Sequence, residues 1–338
     1  MTRQHQKPIL LSLALALPFL FISCPRENKK LDPGRVGVSE RSSPGTTPAY
    51  FVPALFNGER AMDHVRKQVE IGPRDPGSPG AVKTRSYIVD QLKSHRLNVS
   101  VDEFVAHTPE GSKSMANITA EIAGESNDVI MLATHYETKF YKDMLFVGAN
   151  DPGASVATLL ELGRVLAGID RKPKFTYWLV FFDGEESFCE EWDECGKPDA
   201  PDNTYGSRHY VSQLRDKKQV DRVRAMVLLD MIGYKELELG RDTLSTRWLQ
   251  DIIWQTAREM GHGAIFVDRP EGVGGDDHEP FLRAGVPAVD LIQLSNYPYW
   301  HKADDTVDKI SSQSMKIVGD VVLASLPRIE QHLSSKRR

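Results

Sequence analysis

Histidine and carboxylate side chains recur at the ends of the apolar segments of this 338-residue chain. Glu185 and Glu186 are adjacent where the run KFTYWLVFF ends, and no Lys or Arg lies close in sequence to neutralise them. The other candidates after apolar runs are His135, Glu137, Asp151, Asp230 and His301. Imidazole nitrogens and carboxylate oxygens are ligands of zinc. The pattern therefore predicts a metal site, in which one Glu of the pair binds the ion and the other moves protons.

Each of these residues also has an ordinary structural explanation. Asp151 precedes a predicted helix, where Asp commonly caps the first turn. His135 could be a core histidine, Asp230 could be a turn acid, and the two adjacent glutamates could be solvated. These explanations stay open for each residue alone, but their recurrence at successive strand ends favours a shared cation.

Strand-like apolar segments alternate with amphipathic helices along most of the chain. Two helices, NGERAMDHVRKQVEIG and AVKTRSYIVDQLKSHR, precede an alternating strand, LNVSVDEFVA, and the last helix is predicted over residues 305–333. Near-continuous apolar strands between helices indicate a sheet that is covered on both faces. In such sheets ligands bind at the carboxyl ends of the strands, which is where the candidate ligands fall.

The first residues have the features of an export signal. A basic start with Arg3 and Lys7 precedes the apolar run PILLSLALALPFLFIS, which is short for a transmembrane helix. FISC resembles a bacterial lipobox, so lipidation of Cys24 and plain export both stay open. We predict a signal peptide over 1–23, a flexible tether over 24–51 and a catalytic domain over 52–338. The protein is expected to be periplasmic or a membrane-anchored lipoprotein.

Composition and cysteine usage agree with an exported globular protein. Hydrophobic residues make up 40% and charged residues 26%, and the net charge of −5 comes without the basic cluster of a nucleic-acid-binding protein. Disulfides persist in exported proteins, and the spacing of Cys189 and Cys195 is poor for a zinc–thiolate site. We therefore predict a disulfide that pins the loop after Glu186.

Seven motifs occur in the order and approximate spacing of the family-28 zinc metallopeptidases. They are LATHYE, GANDPGAS, FFDGEE, YGSRH, LLDMIG, DDHEPFLRAGVP and YWHKADD, and GPRDPGSPG upstream matches as well. The resemblance covers roughly residues 58–333 and is closer to the glutaminyl-peptide cyclotransferase branch. It implies a zinc-exopeptidase-like fold: a single-domain α/β protein with three α/β/α layers and a central mixed, mostly parallel sheet.

The resemblance also implies roles for individual residues. The zinc ligands of a cyclase would be Asp151, Glu186 and His301. Glu185 would be the general acid and base. In the dizinc aminopeptidases of the same fold, His135 and Asp230 would also bind metal, and Asp151 would bridge two ions. The chain keeps all five ligands, so the ligand set alone does not separate the two reactions.

Other positions resemble the cyclases more than the aminopeptidases. Asp276 stands next to Asp277, where aminopeptidases more often have Ser. In cyclases that acid joins a carboxylate network with the equivalents of Glu185 and Asp230, so Asp230 and Asp276 are expected to assist catalysis.

Three aromatic residues are expected to line the substrate pocket. Trp300 resembles a pocket Trp of the cyclases, and Tyr297 replaces a pocket Phe. Trp192 matches another pocket Trp but comes one residue late, in a segment over 189–203 that is longer than in typical cyclases. Ordinary packing is the alternative for both tryptophans.

The expected function is that of a glutaminyl-peptide cyclotransferase with one zinc ion. It would convert the N-terminal Gln of peptides or proteins to pyroglutamate and release ammonia. The alternatives are an aminopeptidase with two zinc ions and a non-catalytic exported peptide-binding protein. The expected binding partners are the N-termini of peptides or proteins, and we expect no binding of nucleic acid. We expect the protein to be a monomer.

Overall fold

Ten strands and seven α-helices form the part of the chain that the computed structural model describes, residues 55–192 and 194–335. The strands are β1 (Asn98–Thr108), β2 (Gly111–Ile122), β3 (Ser126–His135), β4 (Phe175–Phe182), β5 (Gly196–Lys197), β6 (Ala200–Pro201), β7 (Val223–Asp230), β8 (Leu239–Asp242), β9 (Phe266–Glu271) and β10 (Ala288–Ile292). The helices are α1 (Gly58–Ile71), α2 (Pro79–Ser94), α3 (Gly153–Ala167), α4 (Tyr205–Asp216), α5 (Arg247–Glu259), α6 (His278–Arg283) and α7 (Ser312–Ser335).

The central sheet has six strands in the order β1-β2-β4-β3-β7-β10. Strands β4, β3, β7 and β10 are parallel to one another, while β1 and β2 add two antiparallel pairings at one edge. Every residue of β4, FTYWLVFF, is buried, as expected for a strand with helices on both faces. Residues of α1, α3, α5 and α7 pack in the core on one face, and residues of α4 and α6 pack on the other. The predicted three-layer fold with a mixed, mostly parallel sheet is confirmed.

The parallel strands bring the candidate ligands to one edge of the sheet. His135 is the last residue of β3 and pairs with Phe182, the last residue of β4. Asp230 ends β7 opposite Ile292 of β10. Glu185 and Glu186 come directly after β4. This edge is therefore the carboxyl edge of the sheet, as the sequence predicts.

Two element predictions are wrong. The simple alternation of strands and helices omits β2, which forms a long antiparallel hairpin with β1. It also omits the two-stranded sheet of β8 and β9. The last helix begins at Ser312 rather than at residue 305, because the Ser311 hydroxyl accepts a hydrogen bond from the backbone N–H of Ser314 and caps the helix there.

Cys189 and Cys195 form a disulfide with a Cα–Cα distance of 6.1 Å, which confirms that prediction. The predicted signal peptide and tether lie outside the described residues. Within residues 55–192 and 194–335, none of the helices has the length and apolar character needed to span a membrane.

Arg74, in the motif GPRDPGSPG, is fully buried and fastens the segment that leads to Asp151. Its guanidinium donates to the carbonyl oxygens of Val147 at 2.7 Å and Gly148 at 3.0 Å. It also contacts the carbonyl of Tyr136 at 3.4 Å, just beyond β3. One buried side chain thus ties the end of β3 to the loop before α3.

We expect Arg74→Leu to lower the free energy of unfolding by about 3 kcal/mol, because several buried carbonyls lose their donor. Urea unfolding measures this loss. The control is Arg66→Leu, which removes an exposed ion pair with Asp63 and should cost less than about 1 kcal/mol. Equal losses in the two variants would contradict the anchoring role of Arg74.

Candidate active site

Three of the predicted ligands converge beyond the carboxyl edge of the sheet. Nε2 of His301 lies 2.9 Å from Oε1 of Glu186 and 3.5 Å from Oδ2 of Asp151. The ligand atoms of all three lie within 4.8 Å of one another. One imidazole nitrogen and two carboxylates are a donor set that suits a catalytic zinc ion, whose fourth position is left for substrate. We call these three residues the first ligand group.

The first ligand group also leaves one atom without a partner. Oε2 of Glu186 is buried and has no hydrogen bond among the described residues; the nearest cation is Nζ of Lys139 at 4.0 Å. Burial alone would raise the pKa of Glu186, but His301 and Lys139 outweigh it, and the pKa lies below its ordinary value. An ionised, unpaired carboxylate oxygen in a buried site is what a bound cation would satisfy.

A second ligand group shares Asp151 with the first and consists of His135, Asp151 and Asp230. Nε2 of His135 lies 3.3 Å from Oδ1 of Asp151 and 3.3 Å from Oδ1 of Asp230. Oδ1 of Asp151 therefore faces His135, while Oδ2 faces His301. Helix α3 begins after Pro152 with no side-chain cap, so the alternative that Asp151 caps this helix is wrong.

Asp305 holds the backbone around Asp151, a role that the sequence did not reveal. Its carboxylate accepts hydrogen bonds from the backbone N–H groups of Asn150 at 2.9 Å and Asp151 at 3.0 Å. It also accepts a hydrogen bond of 2.7 Å from the hydroxyl of Tyr297. The motif YWHKADD contains Asp305, but which of its two acids would turn inward could not be told from the pattern.

The prediction that Tyr297 lines the substrate pocket is wrong. Its side chain is 4% exposed and packs beside Tyr234, and it is not among the residues that line the cavity over the two ligand groups. The hydroxyl that distinguishes it from Phe is used inside the protein, on Asp305. Tyr297 therefore supports the loop of Asp151 instead of contacting substrate.

Side chains that follow β3 position the two adjacent glutamates. Oε1 of Glu137 accepts hydrogen bonds from the backbone N–H groups of Glu185 at 2.6 Å and Glu186 at 3.1 Å. Nζ of Lys139 donates to the hydroxyl of Ser187 at 2.6 Å. The signal in the sequence was the two-residue spacing of His135, Glu137 and Lys139, which puts alternate side chains on one side of an extended chain.

Glu185 is buried among other carboxylates. Burial raises its pKa well above the ordinary value; His135, 3.8 Å away, opposes this shift, while Asp276 and Glu186 add to it. Asp276 lines the same cavity, and burial together with the charge of Asp230 raises its pKa to about 7. Burial also raises the pKa of Asp230. A carboxyl with a raised pKa is suited to accept a proton and to return it.

The carboxylate network extends behind Asp276 to residues that sequence reasoning missed. Ligand atoms of Asp276, His278 and Asp290 lie within 4.8 Å of one another, and all three side chains are buried. Nε2 of His278 lies 3.1 Å from Oδ2 of Asp242. Burial raises the pKa of Asp290 well above its ordinary value, and the charge of Asp276 adds to the shift. The sequence feature that could have indicated the role of Asp290 is its position as the one acid inside the apolar strand AVDLI.

A cavity of about 200 Å³, which we call the first cavity, opens over both ligand groups. Trp192 and Trp300 lie in its wall, together with apolar residues that include Met231 and Leu294. The ring of Trp300 stacks on His301 at a centroid distance of 4.3 Å and remains 41% exposed. The first cavity thus combines candidate metal ligands, a buried carboxyl and two tryptophan side chains around a volume of about 200 Å³.

We expect Glu137→Leu to weaken zinc binding by about 10-fold to 100-fold, because the backbone N–H groups of Glu185 and Glu186 lose their acceptor. Glu137→Gln removes the same charge but keeps a carbonyl oxygen, so it should weaken binding less. Competition with a chelating dye measures the affinity without reference to activity. Equal affinities in the Leu and Gln variants would show that the hydrogen bonds do not position Glu186.

The chain is similar to proteins of one family over most of its length. Residues 117–326 match the sequence model of Peptidase family M28. Glutaminyl-peptide cyclotransferase from Bos taurus is 31% identical over 285 residues, which cover 70% of this chain and 73% of that protein. These matches span the strands and loops that carry both ligand groups.

Two solved structures share the fold. Glutaminyl cyclase from an Acidobacteriales bacterium superimposes with a TM-score of 0.77 and is 38% identical, covering 84% of this chain and 98% of that chain. A leucine aminopeptidase precursor from Bacteroides thetaiotaomicron has a TM-score of 0.73 and 25% identity, covering 80% of this chain and 97% of that one. The chain therefore belongs to peptidase family M28 and, within that family, to the glutaminyl-peptide cyclotransferases.

Proposed function

We propose that this enzyme binds zinc through Asp151, Glu186 and His301 and converts an N-terminal Gln to pyroglutamate with release of ammonia. The observation that carries the proposal is the position of Glu185. It is a buried carboxyl with a raised pKa, and it lines the same cavity of about 200 Å³ as the three zinc-binding residues. The similarity to glutaminyl-peptide cyclotransferases supports the choice of substrate.

The reaction joins two groups of the same residue, so it needs positioning and proton transfer more than a strong nucleophile. When bound, zinc supplies a Lewis acid that polarises the γ-carbonyl of the substrate Gln. As the α-amine attacks the γ-carbon, the carboxylate of Glu185 accepts a proton from the amine nitrogen. A new C–N bond closes the ring and the original C–N bond of the side-chain amide breaks.

Glu185 then returns the proton to the departing nitrogen, which leaves as ammonia, and its own protonation state is restored. No water is consumed. Asp230 and Asp276 surround Glu185 with further carboxyl groups, which raise the free energy of its ionised form and share protons with it. The chain's own residues therefore account for both proton transfers.

The walls of the first cavity suit the substrate side chain. Trp192 and Trp300 offer flat apolar faces to the methylene groups of Gln, while the buried carboxylates of the lining would face its amide. Trp300 is 41% exposed, so part of its ring faces solvent at the edge of the cavity.

Hydrolysis of an N-terminal residue is a second candidate function, favoured by the shared position of Asp151. Its two oxygens face His135 and His301, which is the arrangement of a carboxylate that bridges two ions. In that reaction Glu185 would deprotonate a water molecule that attacks the first peptide bond. The two reactions differ in whether water enters the product and in the number of ions.

The products decide between the two reactions. We expect zinc-loaded enzyme to remove ammonia from a peptide that begins Gln-Ala and to leave a peptide that begins Leu-Ala unchanged, as read by mass spectrometry. Glu185→Gln should lower kcat by about 10²-fold to 10⁴-fold because the proton acceptor is lost. Glu70→Gln, on the exposed side of α1, is the matched control and should keep wild-type kcat. Release of free Leu or Gln would overturn the cyclase proposal.

The number of bound ions provides an independent test. We expect one zinc per chain after dialysis, measured by elemental analysis, with the ion lost in His301→Ala and retained in His135→Ala. The reason is that His301 belongs to the first ligand group alone and His135 to the second alone. Two ions in the wild type, with one of them lost in His135→Ala, would favour the aminopeptidase reaction.

A further inference from the structure

A second, larger cavity adjoins the first at Trp192 and Gly274, which line both. Its volume is about 560 Å³. Helix α4 contributes Arg208 and Arg215 to its walls, and the short helix α6 contributes Glu279 and Arg283. None of these four charged residues belongs to either ligand group or to the carboxylate network.

Gly274 and Gly275 place no side chain where the two cavities adjoin. A Cβ atom on Gly274 would meet no other atom within 4 Å. A Cβ atom on Gly275 would lie 3.4 Å from Nε1 of Trp192 and 3.3 Å from Oε2 of Glu279. Both glycines have positive φ angles, 83° and 154°. A side chain on Gly275 would crowd Trp192 and Glu279, which line the second cavity.

The second cavity carries an excess of positive charge. Arg208 donates to the backbone carbonyls of Asn203 at 2.8 Å and Pro201 at 2.9 Å rather than to a carboxylate. Arg215 is exposed, and its guanidinium makes no ion pair with any residue in 55–192 or 194–335. Neither guanidinium therefore forms an ion pair with a carboxylate of residues 55–192 or 194–335.

The acids that line the second cavity compensate for only part of this charge. Glu279 is already paired with Arg283 at 2.7 Å. Asp199 is the remaining acid of the lining. The residues that line the second cavity therefore include three arginines and two acids, in a chain whose net charge is −5.

We propose that the second cavity binds the residues after the N-terminal Gln of a peptide substrate and prefers acidic side chains among them. The proposal rests on the proposed function. The first cavity is large enough for one side chain, so the peptide must leave it after the first residue. The second cavity adjoins it at Trp192 and Gly274 and is large enough to hold the next few residues. Guanidinium groups without a carboxylate partner attract the carboxylates of Glu and Asp.

The test compares four substrates: Gln-Ala-amide and the pentapeptide amides Gln-Ala-Ala-Ala-Ala, Gln-Ala-Glu-Glu-Ala and Gln-Ala-Lys-Lys-Ala. We expect kcat/KM for the Glu peptide to exceed that for the Lys peptide by about 3-fold to 10-fold at low salt. The preference should shrink as the salt concentration rises, because the charges are solvent-accessible.

Charge reversal identifies the residues responsible. In Arg215→Glu the ratio of kcat/KM between the Glu and Lys peptides should fall toward or below one, and Arg283→Glu should shift it in the same direction. Arg247→Glu reverses an 86% exposed arginine on α5, which packs on the opposite face of the sheet, and should keep the wild-type ratio.

The outcomes separate the two proposals. If Gln-Ala-amide is converted but the pentapeptides all react alike in the wild type and in Arg215→Glu, the second cavity does not bind substrate. A preference for the Lys peptide would overturn the proposal as well. If no Gln substrate is converted by zinc-loaded, folded enzyme, the proposed function itself fails.

Discussion

Mutual repulsion among buried carboxylates is the constraint around which this structure is organised. Asp151, Glu185, Glu186, Asp230 and Asp276 are each at most 6% exposed and meet within one small volume. Two unit charges 4 Å apart repel by about 4 kcal/mol at an effective dielectric constant of 20. A hydrogen bond contributes only about 1 kcal/mol net, so hydrogen bonds alone cannot hold this group together. Cations or protons must offset the remainder.

The fold meets this constraint by fixing the backbone on which the acids stand. Glu137 accepts from the two adjacent glutamates, Asp305 accepts from the loop of Asp151, and Arg74 ties that loop to the end of β3. None of these three side chains has to touch substrate. They fix the backbone positions from which the acids converge.

The convergence of the candidate ligands at one edge of the sheet could be predicted because local sequence patterns indicate it. An apolar run that ends in His, Asp or Glu marks the carboxyl end of a buried strand, and parallel strands bring those ends together. Strand β2 gave no such pattern: the first four residues of GSKSMANITAEI are small or polar and are exposed or half-buried, and only the middle of the strand is buried on both faces. Its assignment depends on pairing with β1 and β4.

Side-chain direction was harder to predict than position along the chain. Tyr297 lies near the site in sequence, but the hydrogen bond from its hydroxyl to Asp305 sets the orientation of its side chain. The carboxylate of Asp305 is itself held in the interior by the backbone N–H groups of residues 150 and 151. Asp290 likewise gains its role only when α6 places Asp276 and His278 beside β10. Such partners come from distant segments, and no local pattern encodes them.

The second ligand group links the number of bound ions to the reaction. Nε2 of His135 lies 3.3 Å from both Asp151 and Asp230, so either a second ion or a proton on this nitrogen can satisfy the two carboxylates. A proton there leaves Asp151 free to serve the first ion alone. With a second ion, Asp151 would become a bridge between the two ligand groups, which is the arrangement that hydrolysis requires. Cyclisation needs only the first arrangement, because its nucleophile arrives with the substrate.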